Sequence, residues 1–311
     1  MIIFFCNFVR NLINTEYCLM KKTLLSVIIA TLSTFALLSC DDEGGMLANP
    51  AGINSSDPNG NPGNPNNPNN PNTTPKCYVS EIKNTEDGTS YVTKFTYNSK
   101  NLLESRDETD GKTSFEYDAN NRITKMNLNS PGIETFTYEY DSKGNMSKIK
   151  YFAEGGVLEI DISEYLLTTN AKGQVTKVQA IGEDGALDFF FEYDANNNIT
   201  KIIFDDGEDK YTLVQNLKFD NKSNAFLNTN LSKAHIPHII IGALFGVNTT
   251  SLFNTNNVLS DSAFSFFQGE EVTTTYDYGY TAEGFPSKMT AMRKSGGETQ
   301  KEETTYIYTC K

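Results

Sequence analysis

The sequence predicts an all-β fold: one long antiparallel meander of hairpins, curled or barrel-like, with one apolar and partly helical insert. Three observations support this prediction. A hairpin motif recurs from Cys77 to the end of the sequence. The composition, with 20 Phe, 16 Tyr and no Trp, suits strands. Successive motifs are separated by only roughly 20 to 30 residues, which leaves little room for helices.

Each copy of the motif predicts one β-hairpin. It consists of an aromatic residue, a polar residue, a tyrosine, Asp or Asn, a short turn rich in Asn, Gly and Lys, and a second strand. Alternate aromatic side chains project from one face of the strand, the Asp or Asn bonds the turn backbone, and Gly or Asn accepts a positive φ. The copies are Phe115–Met126, Tyr138–Ile149, Phe191–Ile202 and Tyr278–Met289, weaker ones that begin at Phe95 and Leu217, and the turn 170–173.

One face of this meander is aromatic, and the other consists of Thr, Glu and Lys. An open sheet of this length would expose both edges and the aromatic face, so we expect it to curl, close or cover itself. The motif stops between Ala234 and Phe253, where the sequence becomes apolar. This segment is too short and interrupted to span a bilayer as a helix. We expect it to be buried against the aromatic face, where each aliphatic side chain would contribute about 1.5 to 3 kcal/mol.

Residues 1–39 contain an export signal. Met20, Lys21 and Lys22 form a basic start, an uncharged apolar stretch follows, and Ser39 precedes Cys40. This arrangement resembles the lipobox of bacterial lipoproteins, which implies that Cys40 is acylated and becomes the first mature residue. A buried structural cysteine is the alternative. Because residues 1–19 have no matching role, we expect translation to start at Met20.

The segment 40–76 predicts a tether between the lipid and a single β-rich domain at 77–311. Its repeated Asn-Pro and Gly-Asn steps offer no apolar face and favour extended or turn conformations. At roughly 3 Å per residue, some thirty residues reach on the order of 90 Å. The segment is therefore a spacer.

The charge of the chain argues against nucleic-acid binding. The formal net charge is −13, and it becomes −15 without residues 1–39, which contain Arg10, Glu16, Lys21 and Lys22. Such an acidic surface repels phosphate backbones and anionic lipid headgroups. Membrane contact is therefore expected through the lipid on Cys40 alone.

Two cysteines belong to the β-rich domain, Cys77 at its beginning and Cys310 one residue from its end. In an oxidising envelope they could form a disulfide, although two free thiols are also possible. A bridge that closes so long a loop is worth about 5 kcal/mol in the chain-entropy model.

No catalytic, cofactor or metal motif stands out. His235 and His238 are the only histidines, and Pro237 between them disturbs the helical geometry that a metal site would need, so we expect structural roles. The run that starts at Asp194 resembles the beginning of a calcium loop, but Ile199 occupies the position that requires glycine. A hairpin turn explains that run better.

The hairpin frame resembles the YD repeats of secreted bacterial shell proteins. Residues 77–311 are more similar to a Bacteroidetes lipoprotein family of unknown function, which implies a porin-like curved antiparallel sheet and no catalytic residues. The resemblance is carried by Asp220–Phe226, the apolar insert, Asn254–Asn257 and the run Tyr278–Met289. The chain departs from the family at Ala225 and Val258, where the family favours proline.

Two short matches concern processing. Asp41-Asp42-Glu43 resembles the acidic tag that directs Bacteroidetes lipoproteins to the outer face of the cell, and an ordinary linker is the alternative. Asp261-Ser262-Ala263 resembles the O-glycosylation acceptor of exported Bacteroidetes proteins, which would make Ser262 a candidate glycosylation site. The acidic tag predicts an outer-membrane lipoprotein that faces the exterior.

We therefore expect a monomeric, non-enzymatic surface module that binds a glycan or protein or serves a structural role. The alternative is a secreted carbohydrate hydrolase with dispersed carboxylates, because such a pair is assembled only in space. Candidate carboxylates include Glu159, Asp161, Glu164 and Asp188. An integral outer-membrane barrel is disfavoured, since lipidation would be redundant and the sequence ends in Cys310-Lys311 without a terminal aromatic residue.

Overall fold

The computed structural model describes residues 76–86, 89–109, 111–129, 133–154, 162–183, 185–229, 231 and 233–311. Met20, Cys40 and the tether as far as residue 75 lie outside these ranges. The described chain forms sixteen strands, one α-helix and a short 3-10 helix. The strands are β1 Cys77–Glu86, β2 Thr89–Tyr97, β3 Leu103–Glu108, β4 Gly111–Tyr117, β5 Ile123–Asn129, β6 Ile133–Tyr140, β7 Met146–Glu154, β8 Ile162–Thr169, β9 Val175–Gly182, β10 Gly185–Tyr193, β11 Ile199–Asp205, β12 Lys210–Ser223, β13 Asn256–Ser265, β14 Glu270–Tyr280, β15 Pro286–Ser295 and β16 Glu298–Cys310, with α1 Ile236–Leu244 and the 3-10 helix Thr250–Leu252 before β13.

The strands form a closed antiparallel barrel in which every strand pairs with its neighbours in sequence. Closure is made by β1 and β16, which pair from Cys77 opposite Cys310 to Thr85 opposite Glu303. The prediction of an all-β meander of hairpins is thus confirmed. The sheet was expected to curl, close or cover itself, and it closes. A closed barrel has no free sheet edge.

The two faces of the barrel wall have opposite chemistry. The aromatic residues of the motif point inward, so that Phe95, Phe115 and Phe191 are buried in one continuous hydrophobic core. The residues between them point outward, as Glu116 and Glu192 do, and are exposed. Each outward glutamate pairs with a lysine on the neighbouring strand. The alternation predicted from the motif therefore separates core from solvent.

The predicted turns form as expected from side-chain capping. Asp194 shows the pattern, because its Oδ1 accepts hydrogen bonds from the backbone N–H groups of Asn196 and Asn198, both at 2.8 Å. The third residue after the turn aspartate has a positive φ, which is 68° at Asn197 and, in the equivalent turn, 83° at Gly144. Asn tolerates this left-handed conformation better than most residues do, and Gly adopts it freely.

The weak copy at Leu217 is wrong as a hairpin prediction. The chain stays extended to Ser223 and then enters a long insert at 224–255. Asp220 still behaves as a turn aspartate, because it accepts from the N–H of Lys222 and from the N–H of Asn257. In the other turns the second donor lies four residues on, whereas here it lies 37 residues on. The insert therefore lies within a single hairpin turn, between the residues that Asp220 joins.

The insert fills the interior of the barrel. Its side chains contact several strands of the wall: Phe226 packs on Phe95 of β2, His235 on Phe115 of β4 and His238 on Phe136 of β6, and the Asn254 side chain bonds Ile199 of β11. All of α1 except His238 is buried. The predicted buried and partly helical insert is confirmed, and the space that it fills is the lumen. Among the described residues, no helix is long and apolar enough to cross a membrane.

Candidate functional site

A cavity of about 40 Å³ remains between the insert and the part of the wall formed by β13–β16 and β1. Three hydroxyl groups line it without a hydrogen-bond partner among the described residues: those of Tyr278, Ser251 and Thr304. Thr304 is only 1% exposed. Because a buried hydroxyl without a partner is costly, the Thr304 hydroxyl marks the cavity as a place where a polar molecule would be stabilised.

The walls of the cavity are largely aromatic. Tyr276 and Tyr278 lie one above the other on β14, with ring centroids 6.4 Å apart and planes at 24°. Tyr306 of β16 and Phe226 of the insert also line the cavity. Tyr276 and Tyr278 are partly exposed, whereas Val272 and Thr274 earlier on the same face of β14 are buried.

Two carboxylates hold tyrosines of β14 in place: Asp261 bonds Tyr276, and Asp220 bonds Tyr280. Asp261 is 2% exposed, and its Oδ2 accepts hydrogen bonds from Tyr276 at 2.8 Å and from Asn248 at 2.7 Å. Burial raises the pKa of the Asp261 carboxyl, against the effect of these hydrogen bonds. At the rim, Asp220 accepts from Tyr280. Neither carboxylate belongs to the cavity lining, which carries no charged side chain.

The two histidines lie side by side at the start of α1, with ring centroids 5.3 Å apart. Burial lowers the pKa of both imidazoles, to about 3 for His238 and well below the ordinary value for His235. The nearby Arg106 guanidinium lowers both further. Within the described ranges, no group of three or more His, Cys, Asp or Glu side chains is placed to hold a metal ion. The rings pack on Phe115 and Phe136 as core residues.

The remaining sequence candidates are dispersed over the barrel. Cys77 and Cys310 form a disulfide bond that joins the first and last strands. Ser262 lies on the outer wall, where its hydroxyl donates to Glu271 at 2.6 Å. Glu164 and Asp188 form ion pairs with lysines on the outer wall. Cys40 lies outside the described residues, as do Glu159 and Asp161.

The cavity was missed by sequence reasoning because its residues come from widely separated parts of the chain: β1, the insert with the start of β13, β14, β15 and β16. Tyr278 belongs to a recognised motif, but nothing in the motif distinguishes it from the core tyrosines of the other copies. Ser251 and Thr304 have no motif at all. The one signal in the sequence was the apolar insert between Ala234 and Phe253, which contains Asn248 and Ser251 of the cavity lining.

Comparison with known proteins gives structural neighbours only: no family model matches the chain, and no curated protein does. A porin-like protein from Bacteroides uniformis is similar over 74% of this chain and 95% of its own, with 15% identity and a TM-score of 0.48. A porin-like protein from Bacteroides vulgatus is similar over 75% and 99%, with 9% identity and a TM-score of 0.38.

A third neighbour is a TcdB2–TccC3 structure, with 18% identity and a TM-score of 0.31. The similarity covers 70% of this chain and 12% of that one. This chain thus spans a small fraction of that neighbour's length. The barrel itself is defined by the strand pairing of this chain.

Proposed function

We propose that the chain is a lipid-anchored, non-enzymatic surface module whose barrel stands in water and serves binding or display. The observation that carries this proposal is the combination of a charged outer wall with a filled lumen. The insert occupies the space through which a channel would run, with Ile239, Ile240 and Ala243 at 1% exposure or less. A barrel filled in this way is suited to present a surface and to bind at its ends.

The outer wall supports a location in water. Ion pairs between neighbouring strands lie around the barrel, among them Lys150–Glu139 at 2.6 Å, Lys177–Asp188 at 2.7 Å and Lys288–Glu303 at 2.8 Å. A lysine that faces lipid at the bilayer midplane costs about 2 to 4 kcal/mol. A wall with several such lysines therefore supports a location in water.

Anchorage is then assigned to Cys40 and its tether. The barrel begins at Cys77, so the spacer at 40–76 would hold it clear of the outer membrane, on the exterior if Asp41-Asp42-Glu43 acts as the export tag. We propose a structural role for the buried Asp261, whose Oδ2 is held by Asn248 and Tyr276. We propose a monomer, because the closed barrel leaves no strand edge for pairing.

Fractionation of cells that express the full chain tests the proposal. We expect the protein to be in membranes, to incorporate a palmitate analogue and to be removed from intact cells by external protease. A Cys40→Ala variant should lose the label and be recovered as a soluble monomer without detergent. If this variant stays in carbonate-washed membranes, the barrel itself is embedded and the proposal is wrong. Turnover in a glycoside-hydrolysis screen would contradict the non-enzymatic part.

A further inference from the structure

We propose that the cavity between the insert and β14–β16 binds the hydroxyl-bearing end of a small neutral polyol or of a terminal sugar. This inference rests on the proposed binding role and names its ligand class. The cavity is lined by the hydroxyl groups of Tyr278, Ser251 and Thr304 and by the tyrosine rings of β14 and β16.

The hydroxyl groups determine the polarity of the ligand. A serine, threonine or tyrosine hydroxyl both donates and accepts a hydrogen bond. Those of Tyr278, Ser251 and Thr304 have no partner among the described residues, and the Thr304 Oγ1 is shielded from solvent. A ligand that satisfies all of them must offer donors and acceptors in close succession. Adjacent alcohol groups have this property.

The lining also determines the charge of the ligand. All side chains that line the cavity are neutral. Asp261 and Asp220 lie behind Tyr276 and Tyr280, so they would repel a phosphate or carboxylate. The Oδ2 atom of each accepts hydrogen bonds from these tyrosines and from Asn248 or Asn257, and neither carboxylate lines the cavity. An uncharged ligand is therefore favoured, because an ion would lose its hydration without compensation.

The size and the rings specify how the ligand enters. A volume of about 40 Å³ holds about three water molecules, at 10 to 15 Å³ each. This accommodates a diol or hydroxymethyl group rather than a whole hexose ring. The faces of Tyr276 and Tyr278 can pack against the C–H groups that follow. A free polyol and the last sugar of a glycan share this chemistry.

The test uses the soluble Cys40→Ala chain with glycerol, methyl glycosides of glucose, mannose and galactose, and trisaccharides of the same sugars as probes. Binding is followed by calorimetry and by saturation-transfer NMR. We expect saturable binding of at least one probe, with a dissociation constant on the order of millimolar, since few atoms are buried. Trisaccharides that bind tighter than their methyl glycosides indicate a glycan, and equal affinity indicates a free polyol.

Two variants locate the binding. Tyr278→Phe and Thr304→Val each remove one cavity hydroxyl and should weaken binding about fivefold, as expected for one hydrogen bond. Tyr193→Phe is the matched control, because its hydroxyl donates to Val175 on β9, outside the cavity lining. Its affinity should be unchanged.

The absence of saturable binding in a folded monomer would mean that the cavity holds only water, and the inference would be wrong. An equal loss in Tyr193→Phe would place the binding elsewhere and would also overturn it. Neither result affects the proposal of a lipid-anchored barrel in water, which depends on the fractionation of the Cys40 variant.

Discussion

The tyrosine of the hairpin motif makes a recurring contact through its hydroxyl group. In four copies it donates a hydrogen bond to a main-chain carbonyl at or near the start of the preceding strand, as Tyr117 does to Leu103 at 2.6 Å and Tyr193 to Val175 at 2.9 Å. The other two are Tyr97 to Val79 and Tyr140 to Ile123, and Tyr308 of β16, outside the copies, donates to Pro286 in the same way. The motif therefore joins successive turns to one another, besides forming its own hairpin. Sequence alone predicted the ring in the core but not this bond, because its acceptor is main chain.

Removal of one such hydroxyl should destabilise the barrel measurably. In Tyr193→Phe the carbonyl of Val175 loses its side-chain donor, so we expect the free energy of unfolding to fall by about 1 kcal/mol. Urea denaturation followed by circular dichroism measures the change. Tyr91→Phe is the control, since no hydrogen bond to its hydroxyl is found in the described chain. Equal losses in both variants would show that the carbonyl contact contributes nothing.

The two buried histidines should make the folded barrel less stable in acid. The pKa of His238 is lowered to about 3 in the folded barrel, mainly by burial, against an ordinary value of 6.5. Below pH 6.5 His238 binds a proton in the unfolded chain but not in the folded chain. The free energy of unfolding is therefore unaffected above this pH and falls as the pH drops. The loss is about 1.4 kcal/mol per pH unit, or about 2 kcal/mol between pH 6.5 and 5.

His238→Gln isolates this contribution, because glutamine does not titrate. The difference in unfolding free energy between this variant and the wild type should be constant from pH 8 to 7. It should then shift by about 2 kcal/mol in favour of the variant by pH 5. His235 acts in the same direction and remains in both proteins. A difference that does not change with pH would mean that His238 is protonated freely in the folded state.

At the scale of elements, the insert behaves as a loop expanded inside an otherwise intact turn. Asp220 and Asn257 preserve the hydrogen bonds of the turn across the inserted residues, and Asn257 Nδ2 adds a bond of 2.9 Å to the same carboxylate. β12 and β13 remain paired as far as Ser223 opposite Asn256, with three shifts of register between Asn216 and Ser223. The lumen is thus filled without a break in the wall.

The contribution of the insert to stability can be measured at Ile240. This side chain is 0% exposed, so Ile240→Ala should leave a cavity and cost about 2 to 5 kcal/mol. Leu227→Ala is the matched control within the same insert, because Leu227 is 45% exposed and its truncation should change little. Thermal and urea unfolding of both variants provides the comparison. If both variants lose little stability, the insert packs loosely and the barrel does not depend on it for its stability.

The hairpins were predictable because their determinants are local. An Asp or Asn followed within four residues by a positive-φ Asn or Gly specifies its own turn, as at Asp141 and Asp194. The copy at Leu217 failed because the same local signals are present there, yet the partner of Asp220 is Asn257, far along the sequence. A pattern confined to neighbouring residues cannot contain such a partner.

At the scale of the whole molecule, closure depends on the pairing of β1 with β16, whose residues are separated by almost the whole domain. The sequence left curling, closure and covering open, because each would protect the aromatic face equally well. It did provide one indication of closure in Cys77 and Cys310, the terminal cysteines that the barrel brings opposite each other. The cavity depends on closure too, since Thr304 of β16 reaches the insert only when the barrel is closed.

The disulfide therefore stabilises the step that completes the fold. Because Cys77 and Cys310 are 233 residues apart, their bond removes much conformational freedom from the unfolded chain. Replacement of both by serine should lower the free energy of unfolding by about 5 kcal/mol in the chain-entropy model. The barrel should still close at neutral pH, because the paired residues of β1 and β16 remain. Urea unfolding with and without reductant measures this: reductant should destabilise the wild type and leave the double variant unchanged, and equal stability of the two proteins without reductant would contradict the prediction.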